Sequence, residues 1–448
     1  MHRGWICGLL ALMPGLGHAD GIAIVGGSPR AIGRAGAATV GDDGGGALLI
    51  NPAAMARRDT TRGELGAAVI DDAVEWQNET ATTAPSTGHA GSRIAPLGAA
   101  IGAIGDWILG AGMMTAAVSE RSLPRPGYIA PKLVPAYGYR YSGITGSYRR
   151  DTVALGAARR LGDSLAVGLS FGASRVRVTE HRRIWAGLGI ATPIGTPEGD
   201  VDLSFTATDP FSISAVAGVL YAPVDTRIEL GASLGWTPSV RLDGTVTGAG
   251  TRMGPTVTQT CAPDAALEVR QPIAARAGGR YAGDRLIAEL DGDLWIAPPG
   301  SDSASWQLDC LRVTDPSQMF VDLQHVPSRI AQHSHVALRS AVDLELIAGF
   351  LWATAGYAFS TPATPASRLS PTFGDLGGHT LGLGLEATAG GVTVTLGWSR
   401  TWSPKIRAPS ALTIDNPFYG AAGSVPEGSY EGSLDQLGVL IEAELGDH

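Results

Sequence analysis

The sequence predicts an all-β fold: a transmembrane antiparallel β-barrel of about 14 strands, with an N-terminal hatch plugging the lumen. Three observations predict it. Short runs of alternating apolar and polar residues recur from about Gly63 to Leu445. Tight turns and long loops alternate between them. No stretch after the N-terminus approaches the roughly 18 apolar residues of a membrane helix, so a closed sheet is the remaining way to span a bilayer.

Composition agrees. In 448 residues there are 62 glycines, only 17% charged residues and a mean hydropathy of +0.11. A soluble chain with so few charges needs a Leu-rich core with helical stripes, and none is visible. The net charge of -9 and the lack of a basic stripe interleaved with aromatics exclude a nucleic-acid partner. Lys132 and Lys405 are the only lysines, and each follows proline, which excludes a phosphate-binding loop of the glycine-lysine type.

Residues 1–19 have the form of a signal peptide. Arg3 supplies the positive end, Trp5 to Leu16 the apolar core, and Gly17-His18-Ala19 a cleavage site before Asp20. Cys7 falls within this segment. The exported chain keeps Cys261 and Cys310, a candidate disulfide in an oxidising compartment; two independent thiols are the alternative.

From Asp20 to about Thr61 there is no alternation. Gly44-Gly45-Gly46, Asp42-Asp43 and Asn51-Pro52 suit a compact irregular plug, so residues 20–61 are assigned to the hatch and 62–448 to the barrel. Strands follow at about Gly63–Ile70, Ile94–Ile104, Trp107–Val118, Thr152–Leu161, Leu165–Ala173, Phe211–Tyr221 and Arg227–Trp236. The second half continues with Leu267–Tyr281, Leu286–Ile296, Val336–Val342, Ile347–Phe359, Thr380–Ala389, Val392–Trp402 and Gln436–Leu445. The segments between Ala173 and Phe211, and around Cys261 and Cys310, are expected to be loops.

Period two divides the strands into two faces. Ile228, Leu230, Leu234 and Trp236 oppose Glu229 and Ser233; Leu286, Leu290 and Leu294 oppose Glu289, Asp291 and Asp293. The acidic row is expected to line a hydrated lumen rather than form a cation site. With tight turns toward the periplasm, an even strand number returns both termini there and places both cysteines outside.

Gly33-Arg34-Ala35-Gly36-Ala37-Ala38, then Asp42-Asp43, then Asn51-Pro52-Ala53-Ala54-Met55, resembles the N-terminal signature of the FadL family of outer-membrane long-chain fatty-acid transporters. Gly218–Tyr221 with Arg227–Ser233, Glu289–Trp295, and Ala348-Gly349 with Gly356-Tyr357 resemble later parts of it. The resemblance implies a 14-stranded barrel whose hatch blocks the lumen, capture of a hydrophobic ligand by extracellular loops, an apolar pocket inside, and a lateral exit opened by hatch movement. It assigns Gly33, Arg34, Gly36, Asp42, Asp43, Asn51 and Pro52 to the hatch and its junction with the first strand. Arg34 paired with Asp42 or Asp43 would anchor the hatch; the alternative is that all seven are turn and packing residues. The chain ends in Leu445-Gly446-Asp447-His448, without the terminal aromatic that the barrel assembly machinery commonly recognises.

Other motifs carry weaker chemistry. Gly168-Leu-Ser170-Phe-Gly172 and Gly231-Ala-Ser233-Leu-Gly235 match a nucleophile elbow, but sit inside alternating strands where no strand-to-helix turn exists. His333 and His335, with His325 nearby, lack a fixed set of metal ligands. Tyr128, Ile129, Leu133, Val134 and Tyr137 form an apolar loop cluster, either a capture surface or packing over the barrel mouth. Phe350 and Trp352 are candidates for a lumen pocket.

The expectation is therefore a monomeric barrel in the Gram-negative outer membrane, in contact with lipid and lipopolysaccharide. It takes up hydrophobic molecules passively, long-chain fatty acids first, with no cofactor, metal or catalytic residue. Aromatic or other uncharged hydrocarbons are the alternative ligand. A barrel lipid-modifying enzyme or a structural barrel is the alternative class.

Overall fold

The computed structural model describes residues 27–78, 85–126, 129, 131–188, 194–251, 254–408, 413–424 and 428–445; the side chains of 131–135, 413–415 and 421–424 also fall outside the description. The signal segment 1–19 and the start of the expected hatch lie outside the described residues.

Fourteen antiparallel strands close on themselves. They are β1 (Arg62–Asn78), β2 (Arg93–Ile104), β3 (Trp107–Ser122), β4 (Thr145–Leu161), β5 (Leu165–Trp185), β6 (Asp200–Tyr221) and β7 (Ile228–Trp236). The circle continues through β8 (Ile273–Ala282), β9 (Leu286–Ile296), β10 (His335–Ile347), β11 (Leu351–Ser360), β12 (Gly378–Ala389), β13 (Val392–Ala408) and β14 (Gly428–Glu444). Each pairs with its successor, and β14 returns to β1 from Arg62–Glu444 to Asn78–Gly428. Closure leaves no unpaired edge, the condition for a sheet in hydrocarbon. Leu65, Leu155, Leu230, Leu290, Leu383 and Ile441 point outward and are exposed. Only a lipid solvent makes so continuous an apolar surface stable.

On the loop side the sheet extends further than alternation had indicated. β5 runs on to Trp185 and β6 starts at Asp200, where loops were expected. Segments Val240–Gly250, Asp264–Val269, Ser305–Thr314 and Phe320–Pro327 join them. Together they enclose a dry cap core of Val178, Leu203, Phe205, Leu242, Leu267 and Trp306, with the Phe205 and Trp306 rings stacked at 4.7 Å. The expected continuous strand Leu267–Tyr281 is two strands, because Pro272 interrupts it between Val269 and Ile273. Cys261 and Cys310 are bonded, with their Cα atoms 5.2 Å apart, and tie two segments of the cap together.

Residues 27–61 fold inside the turn-side half of the barrel. The short helix α1 (Pro29–Gly33) is capped by Ser28, whose hydroxyl accepts the Ala31 amide. Two 3-10 turns follow, Gly45–Leu48 and Pro52–Arg57. Leu48, Ala53, Ala54 and Met55 pack against the inward side chains Leu97, Ile108, Ala154 and Leu220. The barrel core is thus built between plug and wall.

Candidate functional site: the plug seat and the cavity above it

The wall is shaped for the plug by glycines at inward positions. A Cβ on Gly168 would stand 2.4 Å from the Ala53 amide nitrogen, one on Gly356 2.3 Å from the Arg34 carbonyl carbon, and one on Gly397 2.7 Å from the Pro29 oxygen. From the other side, Gly33 approaches the Gly384 Cα to 3.0 Å at its own Cβ position. Gly36 turns the chain in the left-handed region at φ +88°.

Between these contacts the seat is ionic. The acidic row of β9 is buried, not hydrated: Glu289, Asp291 and Asp293 are 3%, 1% and 8% exposed. Asp291 accepts the backbone amides of Ala38 and Thr39 at 2.8 and 2.9 Å, and Glu289 those of Val40 and Gly41 at 2.8 and 3.0 Å. The guanidinium of Arg34 pairs with Glu289 and Asp343, rather than with Asp42 or Asp43. Asp293 takes Arg339, which also donates to the Ala35 carbonyl at 3.3 Å. The wall carboxylates therefore take up a stretch of amides that no helix or sheet satisfies.

Asp43 anchors the second half. Arg58 lies 2.9 Å from it, Arg30 3.3 Å, Arg57 3.8 Å and Arg62 3.9 Å. Burial opposes its ionisation, but these four cations outweigh burial and hold the carboxyl well below the ordinary range. Glu442 on β14 shares Arg58 at 2.6 Å and Arg30 at 3.3 Å. Asp42 makes no ion pair in this cluster: burial raises its carboxyl above the usual value, against the field of Arg30 and the hydroxyl of Ser28, which donates to it at 2.6 Å.

Asn51 caps the turn at Pro52, its oxygen accepting the Ala53 amide at 3.2 Å. Its side-chain nitrogen donates to Thr39 at 2.8 Å and to Val219 of the wall at 3.2 Å. The two Gly-x-Ser-x-Gly runs lie inside strands β5 and β7 and face the plug. Ser170 donates to the Leu48 carbonyl at 2.7 Å and Ser233 to that of Ile50 at 2.6 Å, while Gly168 and Gly231 make room for the plug. The signal was the inward parity of both glycine and serine on one face.

Above the plug lies a cavity of about 270 Å³. Leu49 and Ile50 form its floor, Ile330, Ala331 and Phe373 its roof, and Tyr148, Val216, Trp295 and His335 part of its wall. Trp295 and His335 stack at 4.5 Å. The lining is mixed: Arg150, Arg276 and Asp375 bring charge, and Thr152, Ser214, Gln271 and Gln332 bring polar groups among the apolar side chains.

The remaining expected residues lie elsewhere. Phe350 is exposed in the turn between β10 and β11, and Trp352 begins β11 beside it, opposite Glu345; neither borders the cavity. Ile129 is buried, and Tyr137 packs at the edge of a cluster containing Trp76, Tyr139 and Tyr430. Tyr128 and the side chains of Leu133 and Val134 lie outside the described residues. Cys261 and Cys310 sit in the cap, away from both plug and cavity.

A family model described as "Outer membrane protein transport protein (OMPP1/FadL/TodX)" matches residues 10–286. No curated protein sequence matches. Among solved structures, a Pseudomonas aeruginosa FadL homologue aligns at 13% identity over 96% of this chain and 100% of that one, with a TM-score of 0.73. The P. putida toluene transporter TodX aligns at 13% identity over 90% and 94%, TM-score 0.64. The Ralstonia pickettii toluene transporter TbuX aligns at 14% over 94% and 98%, TM-score 0.63. At such identities the likeness concerns the fold.

Proposed function

The chain belongs to the OMPP1/FadL/TodX family of outer-membrane transport proteins, and from that premise we propose that it takes up hydrophobic molecules by ligand-gated diffusion, with long-chain fatty acids as the leading ligand class. The observation that carries this reading is the cavity. It lies directly on the plug, is walled by Val216 and Trp295 and roofed by Phe373, and places two cations, Arg150 and Arg276, against one carboxylate, Asp375, so that an acid head group meets a net positive lining. Occupancy pressing on Leu49 and Ile50 is transmitted to Asn51 and the Asp43 cluster, and gates the plug. Gly33, Arg34, Gly36, Asp42, Asp43, Asn51 and Pro52 act as gating residues in this scheme.

A second reading is favoured by one specific feature. The stacked Trp295–His335 pair presents an aromatic surface to the cavity, and two similar structures are of toluene transporters. An uncharged aromatic hydrocarbon would use that surface without an ionic contact to Arg150 or Arg276.

Equilibrium binding of a fluorescent long-chain fatty acid to the refolded barrel, with toluene as competitor, separates the two. Saturable binding that resists toluene and weakens in Arg276→Gln supports the fatty-acid reading. Displacement by toluene, with Arg276→Gln binding unchanged, turns it over to the hydrocarbon.

A further inference from the structure

Strands β4 and β5 carry unmatched positive charge on the outer face of the barrel. They pair without a break from Thr145–His181 to Leu161–Leu165, so side chains alternate faces along the whole length. Val153, Leu155, Leu169 and Phe171 are outward and exposed, in the lipid-facing belt. Toward the loop end the same face presents Asp151 and Arg149 on β4, then Arg175 and Arg177 on β5. The inward face of this stretch holds Tyr148, Val176 and Val178, buried in the cap core, which fixes the parity.

Register sets Arg149 directly across from Arg177, and Asp151 across from Arg175. Like charges in directly opposed positions repel, so the first pairing costs the sheet stability. Asp151 does not cancel the group, because Arg149 takes its carboxylate at 2.9 Å and the Thr115 hydroxyl donates to it at 2.7 Å. Arg175 and Arg177 are exposed and have no hydrogen bond or ion pair among the described residues. Nearby carboxylates are engaged elsewhere: Glu120 by Arg93 at 2.6 Å, Asp202 by Arg183 at 2.9 Å and Asp243 by Arg241 at 3.0 Å. Asp209 accepts the Phe211 amide at 2.9 Å.

Three guanidiniums thus share one carboxylate at the upper rim of an apolar surface, an arrangement that a phosphate group completes. Arg175 stands four residues beyond Phe171, about 13 Å along the strand and less along the membrane normal because barrel strands tilt. With Phe171 among acyl chains, the arginines lie at headgroup height. Elsewhere on the rim the sign reverses: β1 and β14 set Asp71 across from Asp435, and Glu75 across from Glu431, on their outward face. The rim is polarised, and an anionic lipid is drawn to β4 and β5 rather than to β1 and β14.

We propose that Arg149, Arg175 and Arg177 form a docking site for a phosphate of lipopolysaccharide, the acyl chains of that lipid lying along Val153, Leu155 and Phe171. The inference goes beyond the uptake reading and does not depend on it; it gives general lipid contact one defined place and chemistry.

Native mass spectrometry of the refolded barrel released from detergent micelles, with purified lipid A as the probe, tests it. The parent is expected to retain one lipid A. Arg175→Gln/Arg177→Gln should bind it at least about tenfold more weakly, and so should the parent offered lipid A stripped of its phosphates. Arg241→Gln, which breaks an exposed pair outside the cluster, is the control and should bind as the parent does. Unchanged binding in the double variant, or equal binding of the dephosphorylated lipid, overturns the proposal. Displacement of lipid A by millimolar inorganic phosphate also overturns it, assigning the arginines to a free anion. Fluorescent fatty-acid binding, measured on the same samples, should be equal in parent and double variant, so the uptake reading stands or falls separately.

Discussion

Gly218 of β6 faces Asn51 of the plug so closely that a methyl group at 218 would stand 2.0 Å from the Asn51 side-chain oxygen. The contact joins the wall to the residue that caps the last plug turn and bonds both Thr39 and Val219. Gly218→Ala is therefore expected to displace the plug while leaving the ladder intact, at a cost of about 1–3 kcal/mol typical of overpacking. Liposome swelling with a small sugar measures it: the variant leaks, and the parent does not.

Glu289 holds Arg34 and the amides of Val40 and Gly41. Glu289→Ala leaves a buried guanidinium, the buried Val40 amide and the half-buried Gly41 amide short of an acceptor, a loss of about 3–5 kcal/mol by analogy with broken buried pairs. Proteolysis within residues 27–61 of the folded protein should become rapid, whereas β-sheet circular dichroism should not change.

Acid should loosen the seat. The Asp43 carboxyl is held below its ordinary value, so its stabilisation is complete above the unfolded pKa of about 3.9 and is lost as pH falls through the folded one. Asp42 acts in the opposite sense, since a carboxyl raised by burial favours the folded state more as pH falls. Sugar leak is expected to rise below about pH 4 in the parent. In Asp43→Asn the leak should be larger at neutral pH and less dependent on acid.

Ala274 lines the cavity from strand β8 of the wall. Ala274→Trp should fill the space, abolish fatty-acid binding and leave the melting temperature and sugar leak of the parent. Retained binding at full affinity would place the ligand elsewhere.

Reduction of the Cys261–Cys310 bond, or Cys261→Ser with Cys310→Ser, should destabilise the cap alone, by about 2–4 kcal/mol as is typical of such bonds. Amide exchange in Ser305–Thr314 and Phe320–Pro327 reports it, against unchanged exchange in β12 and β13.

Much of the wall was legible in the chain. Leu230, Leu234 and Trp236 alternate with Glu229 and Ser233, and turns such as Gly162-Asp163 and Gly390-Gly391 mark where strands reverse. Less legible was the cap, whose alternation at Val201, Leu203 and Phe205 lies in what resembled loop, and whose partners stand beyond Asp243. The acidic row was seen but misassigned: parity placed Glu289, Asp291 and Asp293 inward, and nothing local distinguishes a carboxylate facing water from one facing the amides of residues 38–41.

Alternation, turn residues and glycine content follow from local physics, because a two-residue period must match one apolar and one polar surroundings along each strand. They determined the barrel, its strand order and its outward face. Which carboxylate would hold Arg34, which glycines would admit the plug, and that two Gly-x-Ser-x-Gly runs would bind plug carbonyls were decided only on closure. Each joins residues far apart in sequence, and their side chains meet only once the circle of strands sets a common height and face.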